Sequence, residues 1–126
     1  MIMKAIAIDH VQLTVPPELE VVCRDFYANV LGLREIPKPA ALMDRGGYWF
    51  EIGEVQLHIA IEAGATGAGS KRHLCLRVAD LAAARAALSG VKMTITEEPI
   101  TANGLERFFI RDPAGNRLEI GWCAAK

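Results

Sequence analysis

Polar and apolar residues alternate from Ala5 to Val15, with Val11, Leu13 and Val15 on one side and His10, Gln12 and Thr14 on the other. A period of two predicts a strand. Pro16 and Pro17 end it. From Glu18 to Leu31 the spacing changes: Leu19, Val22, Phe26 and Val30 recur at helical intervals, and Gly32 follows as a C-terminal stop, which predicts a helix of about four turns. Leu33 to Ile36 is a short strand closed by Pro37-Lys38-Pro39, and an irregular loop leads to Gly46-Gly47. Two further strands, Tyr48 to Glu51 and Val55 to Glu62, flank a turn at Gly53. In the second of these, Val55, Leu57, Ile59 and Ile61 form the apolar face, which leaves Gln56, His58, Ala60 and Glu62 opposite.

Ala63 to Ser70 is rich in Gly and Ala without periodicity, so it reads as a flexible connector. After it the order of elements begins again. Arg72 to Val78 alternates, with Leu74, Leu76 and Val78 inward and His73, Cys75 and Arg77 outward. Asp80 can cap a helix over Leu81 to Leu88, and Gly90 stops it. Thr94 to Glu97, Arg107 to Ile110 and Arg117 to Trp122 are the remaining strands. The last follows the turn Asp112-Pro113-Ala114-Gly115 and places Leu118, Ile120 and Trp122 on one face, with Arg117, Glu119 and Gly121 on the other.

Both halves thus run strand, helix, strand, strand, strand. The repeat has a nearly constant offset: 73 − 10 = 63 from His10 to His73, 119 − 58 = 61 from His58 to Glu119, and 90 − 32 = 58 between the two helix stops. The expected fold is α+β, with two tandem βαβββ modules, over about 1–62 and 72–126, forming a curved mixed sheet around a cavity. At 126 residues and 52% hydrophobic composition, one domain with a sizeable core is expected. With 14 Lys plus Arg against 15 Asp plus Glu, no basic field points to nucleic acid or to an anionic membrane surface.

No apolar run approaches the roughly 20 residues that span a bilayer. The start of the chain lacks a secretory pattern, and three widely spaced cysteines (Cys23, Cys75, Cys123) do not form a disulfide framework. A reducing cytoplasm fits best, with a small molecule as partner.

A pseudo-twofold between the modules would bring four polar-face residues to one concave face: His10, His58, His73 and Glu119. They include every histidine in the chain. Three imidazoles and a carboxylate suit a divalent first-row cation such as Zn, Ni, Co, Fe or Mn, with positions left open for water or substrate. A strand histidine bonded to backbone or water is the ordinary alternative for any one of them; the pairing by repeat is what sets the group apart. Arg107 shares a strand face with Phe109 and could orient an anionic group through its bidentate fork. In the strand 48–51, Tyr48 and Phe50 lie on one side and Trp49 on the other. One set must face the cavity, and Tyr48 and Phe50 are taken as the substrate-binding pair. No nucleophile elbow, phosphate-binding Gly loop or Cys/His nucleophile pair is present.

Four phrases carry a family resemblance: Ile8-Asp9-His10-Val11, Asp25-Phe26-Tyr27-Ala28-Asn29-Val30-Leu31-Gly32-Leu33, Arg72-His73-Leu74-Cys75-Leu76, and Asp112-Pro113-Ala114-Gly115-Asn116-Arg117-Leu118-Glu119. Over nearly its whole length the chain resembles the vicinal oxygen chelate superfamily, which includes glyoxalase I, fosfomycin and bleomycin resistance proteins and extradiol dioxygenases. The resemblance implies paired βαβββ modules around a metal that chelates substrate oxygens, with His10, His58, His73 and Glu119 at the ligand positions. It also implies a homodimer whose modules pair within one chain or across two. The metal would act as a Lewis acid towards a developing enolate or alkoxide.

His58 departs from glyoxalase I, which carries a carboxylate there. Glu119 is then the remaining carboxylate base, and His58 is a fourth ligand or an acid/base beside the metal. The implied function is a metal-dependent lyase, isomerase or ring-cleaving enzyme. The alternatives are a metal-free binding protein of the bleomycin-resistance type, and a scaffold with a vestigial site.

Overall fold

In the computed structural model, residues 1–99 and 104–123 are described, and the chain divides into two compact units, Met1–Thr66 and Gly67–Lys126. The expected second module runs to 126, beyond the described residues.

The first unit is a four-stranded mixed sheet in the order β1-β4-β3-β2, built from β1 (His10–Val15), β2 (Arg34–Ile36), β3 (Tyr48–Ile52) and β4 (Val55–Ile61). β1 runs parallel to β4, and the other two pairings are antiparallel. β1 was expected from Ala5, but Met1 to Asp9 lies outside any strand and is exposed, although Asp9 still accepts a backbone bond from Gln56 at 3.1 Å.

The helical stretch after it is not a uniform α-helix. A 3-10 turn (Pro17–Leu19) leads into α1 (Glu20–Asp25) and then into a wider π turn (Phe26–Val30), where Leu31 N–H donates to Phe26 O at 2.9 Å. A wider turn rotates less per residue, which suits the burial of the adjacent Phe26 and Tyr27. Gly32 ends the helix at φ +69°, as its position predicts. Tyr27 meets Phe50 at 6.0 Å, and Phe50 meets Tyr48 at 5.7 Å. With Val15, Cys23, Leu57 and Ile59 these rings are the core of the unit. A 3-10 segment (Ala40–Arg45) occupies the loop expected to be irregular.

Among the described residues the second unit repeats the plan with one strand fewer. β5 (His73–Arg77) runs parallel to β7 (Arg117–Cys123), β7 is antiparallel to β6 (Leu105–Arg111), and the order is β5-β7-β6. α2 (Leu81–Gly90) is capped by Asp80, whose carboxylate accepts from Ala83 N–H at 3.0 Å, and it runs through Gly90 rather than stopping before it. Leu81, Leu88, Phe108, Ile110, Leu118 and Ile120 are buried here; full burial of such a side chain stabilises by about 1.5–3 kcal/mol.

The expected strand Thr94 to Glu97 is reduced to one bridged pair, Thr96 with Phe109, at 2.8 and 2.9 Å. Just beyond it, Glu98 O accepts from the Arg107 side chain, Nε at 2.9 Å, and not from a β6 backbone N–H. The Glu97 and Glu98 carboxylates are drawn to Arg85 and Arg117, and Pro99 has no N–H to offer.

The connector expected to be flexible is also corrected in its second half. Gly67 is buried and its N–H donates to Ala114 O at 3.1 Å, while Arg111 donates to Gly67 O at 3.1 Å and to Ser70 O at 3.1 Å. A Cβ on Gly67 would lie 2.6 Å from Asn116 Cα. The small residues there serve close approach to the 112–116 turn. That turn is held by the buried Asp112 carboxylate, which accepts from the N–H groups of Ala114 and Asn116, each at 2.9 Å.

Candidate metal and ligand site

Each unit places one pair of the sequence-predicted residues together, and the same strand register does it in both. In the first, β1 and β4 align Gln12 with His58, so His10 is the diagonal neighbour of His58 on the polar face. In the second, β5 and β7 align Cys75 with Glu119, so His73 is the diagonal neighbour of Glu119. Diagonal neighbours on one sheet face are within reach of long or aromatic side chains.

His58 is 5% exposed and lies between two rings. Its imidazole stacks on Trp49 at 3.7 Å with planes 1° apart, and on His10 at 4.2 Å and 14°. Nε2 of His58 is 2.9 Å from Gln56 Oε1. Burial first, and then the neighbouring His10, lower its pKa from the ordinary 6.5, against a smaller opposing effect of Asp9. His58 is therefore a neutral imidazole with a lone pair at pH 7. His10 sets its Nδ1 on Asp9 Oδ1 at 2.7 Å. A ring that donates through one nitrogen to a carboxylate presents the other as a ligand.

In the second unit His73 Nδ1 is 2.9 Å from the Lys71 carbonyl, and Nε2 is 3.0 Å from Glu119 Oε1. With Nδ1–H donating to a carbonyl, Nε2 faces a carboxylate oxygen at a spacing that a shared proton or a shared cation would fill. Arg107 reaches the same oxygen at 3.5 Å. Phe109 is in edge contact with His73 at 5.1 Å, and the Arg117 guanidinium lies over the Phe109 ring at 3.7 Å.

Cys75 is exposed, yet burial of its thiol and then the Glu119 carboxylate beside it push its pKa up to about 11. It is an inert thiol at neutral pH. Gly121 leaves room for it, since a Cβ there would meet Cys75 Sγ at 3.0 Å. A cleft of about 960 Å³ opens over this face, with His73, Arg107, Phe109 and Arg117 in its wall.

The donor set of each pair suits a divalent first-row cation: two imidazoles in one unit, an imidazole and a carboxylate in the other. Among the described residues, no three His, Cys, Asp or Glu side chains gather into one metal-holding group.

Tyr48 and Phe50 are not on the polar face. They are 3% and 0% exposed and pack under the helix, because the register that puts Trp49 opposite His58 turns its neighbours inward. Trp49, the alternative to Tyr48 and Phe50 on the other side of the strand, is the aromatic residue on this face. The repeat marks it: Trp49 pairs with His58 as Phe109 pairs with Glu119, and 109 − 49 = 60 matches the other offsets.

The model of the Glyoxalase/Bleomycin resistance protein/Dioxygenase superfamily matches residues 7–120. A glyoxalase family protein from Bacillus anthracis is similar at 31% identity and a TM-score of 0.89, over 98% of this chain and 100% of that one. Lactoylglutathione lyase from Agrobacterium tumefaciens shares the fold at 24% identity and TM-score 0.71, over 92% of each chain. TnmS3, an antibiotic binding protein from Streptomyces sp. CB03234, does so at 20% and 0.75, over 97% of this chain and 99% of that one. A search of curated proteins returns no match. A family match that takes in both strand pairs bearing His10, His58, His73 and Glu119 places the chain in the glyoxalase/bleomycin resistance protein/dioxygenase superfamily.

Proposed function

We propose that the protein is a metal-dependent enzyme of lyase, isomerase or ring-cleaving type, acting on a small molecule with two neighbouring oxygens. His10, His73 and Glu119 are its core metal ligands, and His58 is a fourth ligand or an acid/base. The observation that carries this reading is the facing of His73 Nε2 and Glu119 Oε1 at 3.0 Å while Nδ1 is committed to the Lys71 carbonyl. A divalent cation at these residues would supply Lewis acidity to substrate oxygens.

The chain's own groups supply the rest. Arg107 lies 3.5 Å from Glu119 Oε1 and helps to orient it, and Glu119 is the one carboxylate among the four residues. His58, neutral and buried, can accept a proton where a charged imidazole could not. In this reading the two units form one domain, since one family model runs through both, and the protein works as a cytoplasmic homodimer.

Metal content by mass spectrometry, on protein purified without chelators, tests the reading. Wild type is expected to hold or recover about one equivalent of Zn, Ni, Mn, Co or Fe, and Glu119→Gln far less; under about a tenth of an equivalent in wild type after adding each metal would sink it.

A metal-free binding protein is the second reading, favoured by the aromatic stack of Trp49, His58 and His10. TnmS3 is described as an antibiotic binding protein. In that case Glu119→Ala leaves ligand affinity by calorimetry unchanged.

A further inference from the structure

The second-unit cleft holds more positive charge than its own residues neutralise. Five cationic residues line it: Lys71, Lys92, Arg107, Arg111 and Arg117. The three arginines are committed within the unit. Arg107 is shared between Glu98 O and Glu119, Arg111 donates to the carbonyls of Gly67, Ser70 and Gly115, and Arg117 binds the Glu98 carboxylate while lying over Phe109. Lys71 and Lys92 have no acidic partner among the described residues.

Lys92 also stands in an unfavourable backbone conformation. At φ +58° it is the one non-glycine residue of the described chain in the left-handed region. It forms the turn that ends α2, with Lys92 N–H bonded to Ser89 O and Met93 N–H to Leu88 O, each at 3.1 Å. That is the position where glycine is the ordinary occupant. A charged side chain held there against its backbone preference, on the wall of a cleft, points to a role for the charge. Val91, Met93 and Phe109 give the same cleft apolar surface, and about 960 Å³ accommodates a small organic molecule.

We propose that this cleft binds a small amphipathic anion, with its carboxylate or phosphonate group between Lys71 and Lys92 and its apolar body against Met93 and Phe109. This deepens the reading above by giving the substrate a charge, and it rests on that reading for the site but not for the metal.

The test is calorimetric titration of the whole protein at low salt in excess chelator, with 4-phenylbutyrate and phenylphosphonate as acid probes and neutral 4-phenyl-1-butanol as control. At least one acid should bind about tenfold more tightly than the alcohol, and the double variant Lys71→Gln/Lys92→Gln should lose about tenfold or more of that affinity. Lys92→Gly should weaken the acid while unfolding at no lower temperature than wild type, which separates loss of charge from loss of fold. The two acids between them tell carboxylate from phosphonate preference.

Equal binding of acid and alcohol, no acid binding, or acid binding indifferent to both lysines overturns the proposal. Acid binding that needs added metal and ignores the lysines would overturn it while leaving the metal reading intact. Lysine-dependent binding in a protein that takes up no metal would do the reverse.

Discussion

Replacing Trp49 by Leu tests whether the ring stack governs His58. The two rings lie 3.7 Å apart with planes 1° from parallel, and His58 is 5% exposed. A well-formed aromatic pair contributes about 0.5–1.5 kcal/mol beyond area burial. A double-mutant cycle with His58→Leu should therefore return a coupling of about 1 kcal/mol. At about 2.1 cal/mol/K per residue, a 126-residue chain has an unfolding entropy near 0.26 kcal/mol/K, so the coupling corresponds to about 4 °C in Tm.

The pH arm follows from the lowered pKa of His58. An unfolded imidazole takes up a proton near 6.5 that the folded one resists, so the contribution is fully present above about pH 6.5 and is lost as pH falls below it. Trp49→Leu opens the ring to water, reduces the burial that is the largest cause of the shift, and should shrink this acid-induced loss. Thermal unfolding followed by circular dichroism in chelator, at about pH 8 and about pH 5.5, reads both effects. A coupling under about 0.3 kcal/mol, or an acid loss identical in wild type and Trp49→Leu, would refute the reasoning.

Two further outcomes follow from local geometry. Gly47 sits at φ +80°, and an added Cβ would fall 2.2 Å from Ile59 O; Gly47→Ala should cost about 2 kcal/mol or more, seen as a lower urea midpoint with an unchanged slope. Cys75, pushed up to about 11, should be alkylated by iodoacetamide in chelator at a rate still rising well above pH 9, and Glu119→Gln should move that rise to lower pH. A rate that is half-maximal near pH 9, where an unperturbed thiol is about half ionised, would count against the environment described for it.

The strands carrying the site were legible because alternation fixes side-chain direction before any packing is known. His10, His58, His73 and Glu119 were all assigned to the polar face of their strands, and the register agrees. Alternation does not say which face of a strand meets the core. For β3 both faces carry aromatics, and only the pairing of Trp49 with His58 distinguishes Trp49 from Tyr48 and Phe50. The strand expected at Thr94 to Glu97 is a single bridge to Phe109, and beside it Arg107 takes the Glu98 carbonyl, a long-range bond invisible in local sequence. The second half of the Gly/Ala run 63–70 differs from expectation for a related reason, since small residues signal either freedom or close approach, and Gly67 closely approaches Asn116.

The anchoring of Gly67 to the 112–116 turn limits where the gene could be divided. Glu62 N–H still bonds Val15 O at 2.9 Å and Ala65 N–H bonds Glu62 O at 3.0 Å, while Gly64 and Ala65 stand outside both sheets. A break or insertion at Gly64 would spare every strand pairing and leave each fragment with its own pair of candidate ligands. The same change three residues later would cut the Gly67 bond to Ala114 and loosen the turn that launches β7 and Glu119. Gly64 is accordingly the place to separate the two halves for a complementation assay, with recovered metal uptake on mixing as the signal.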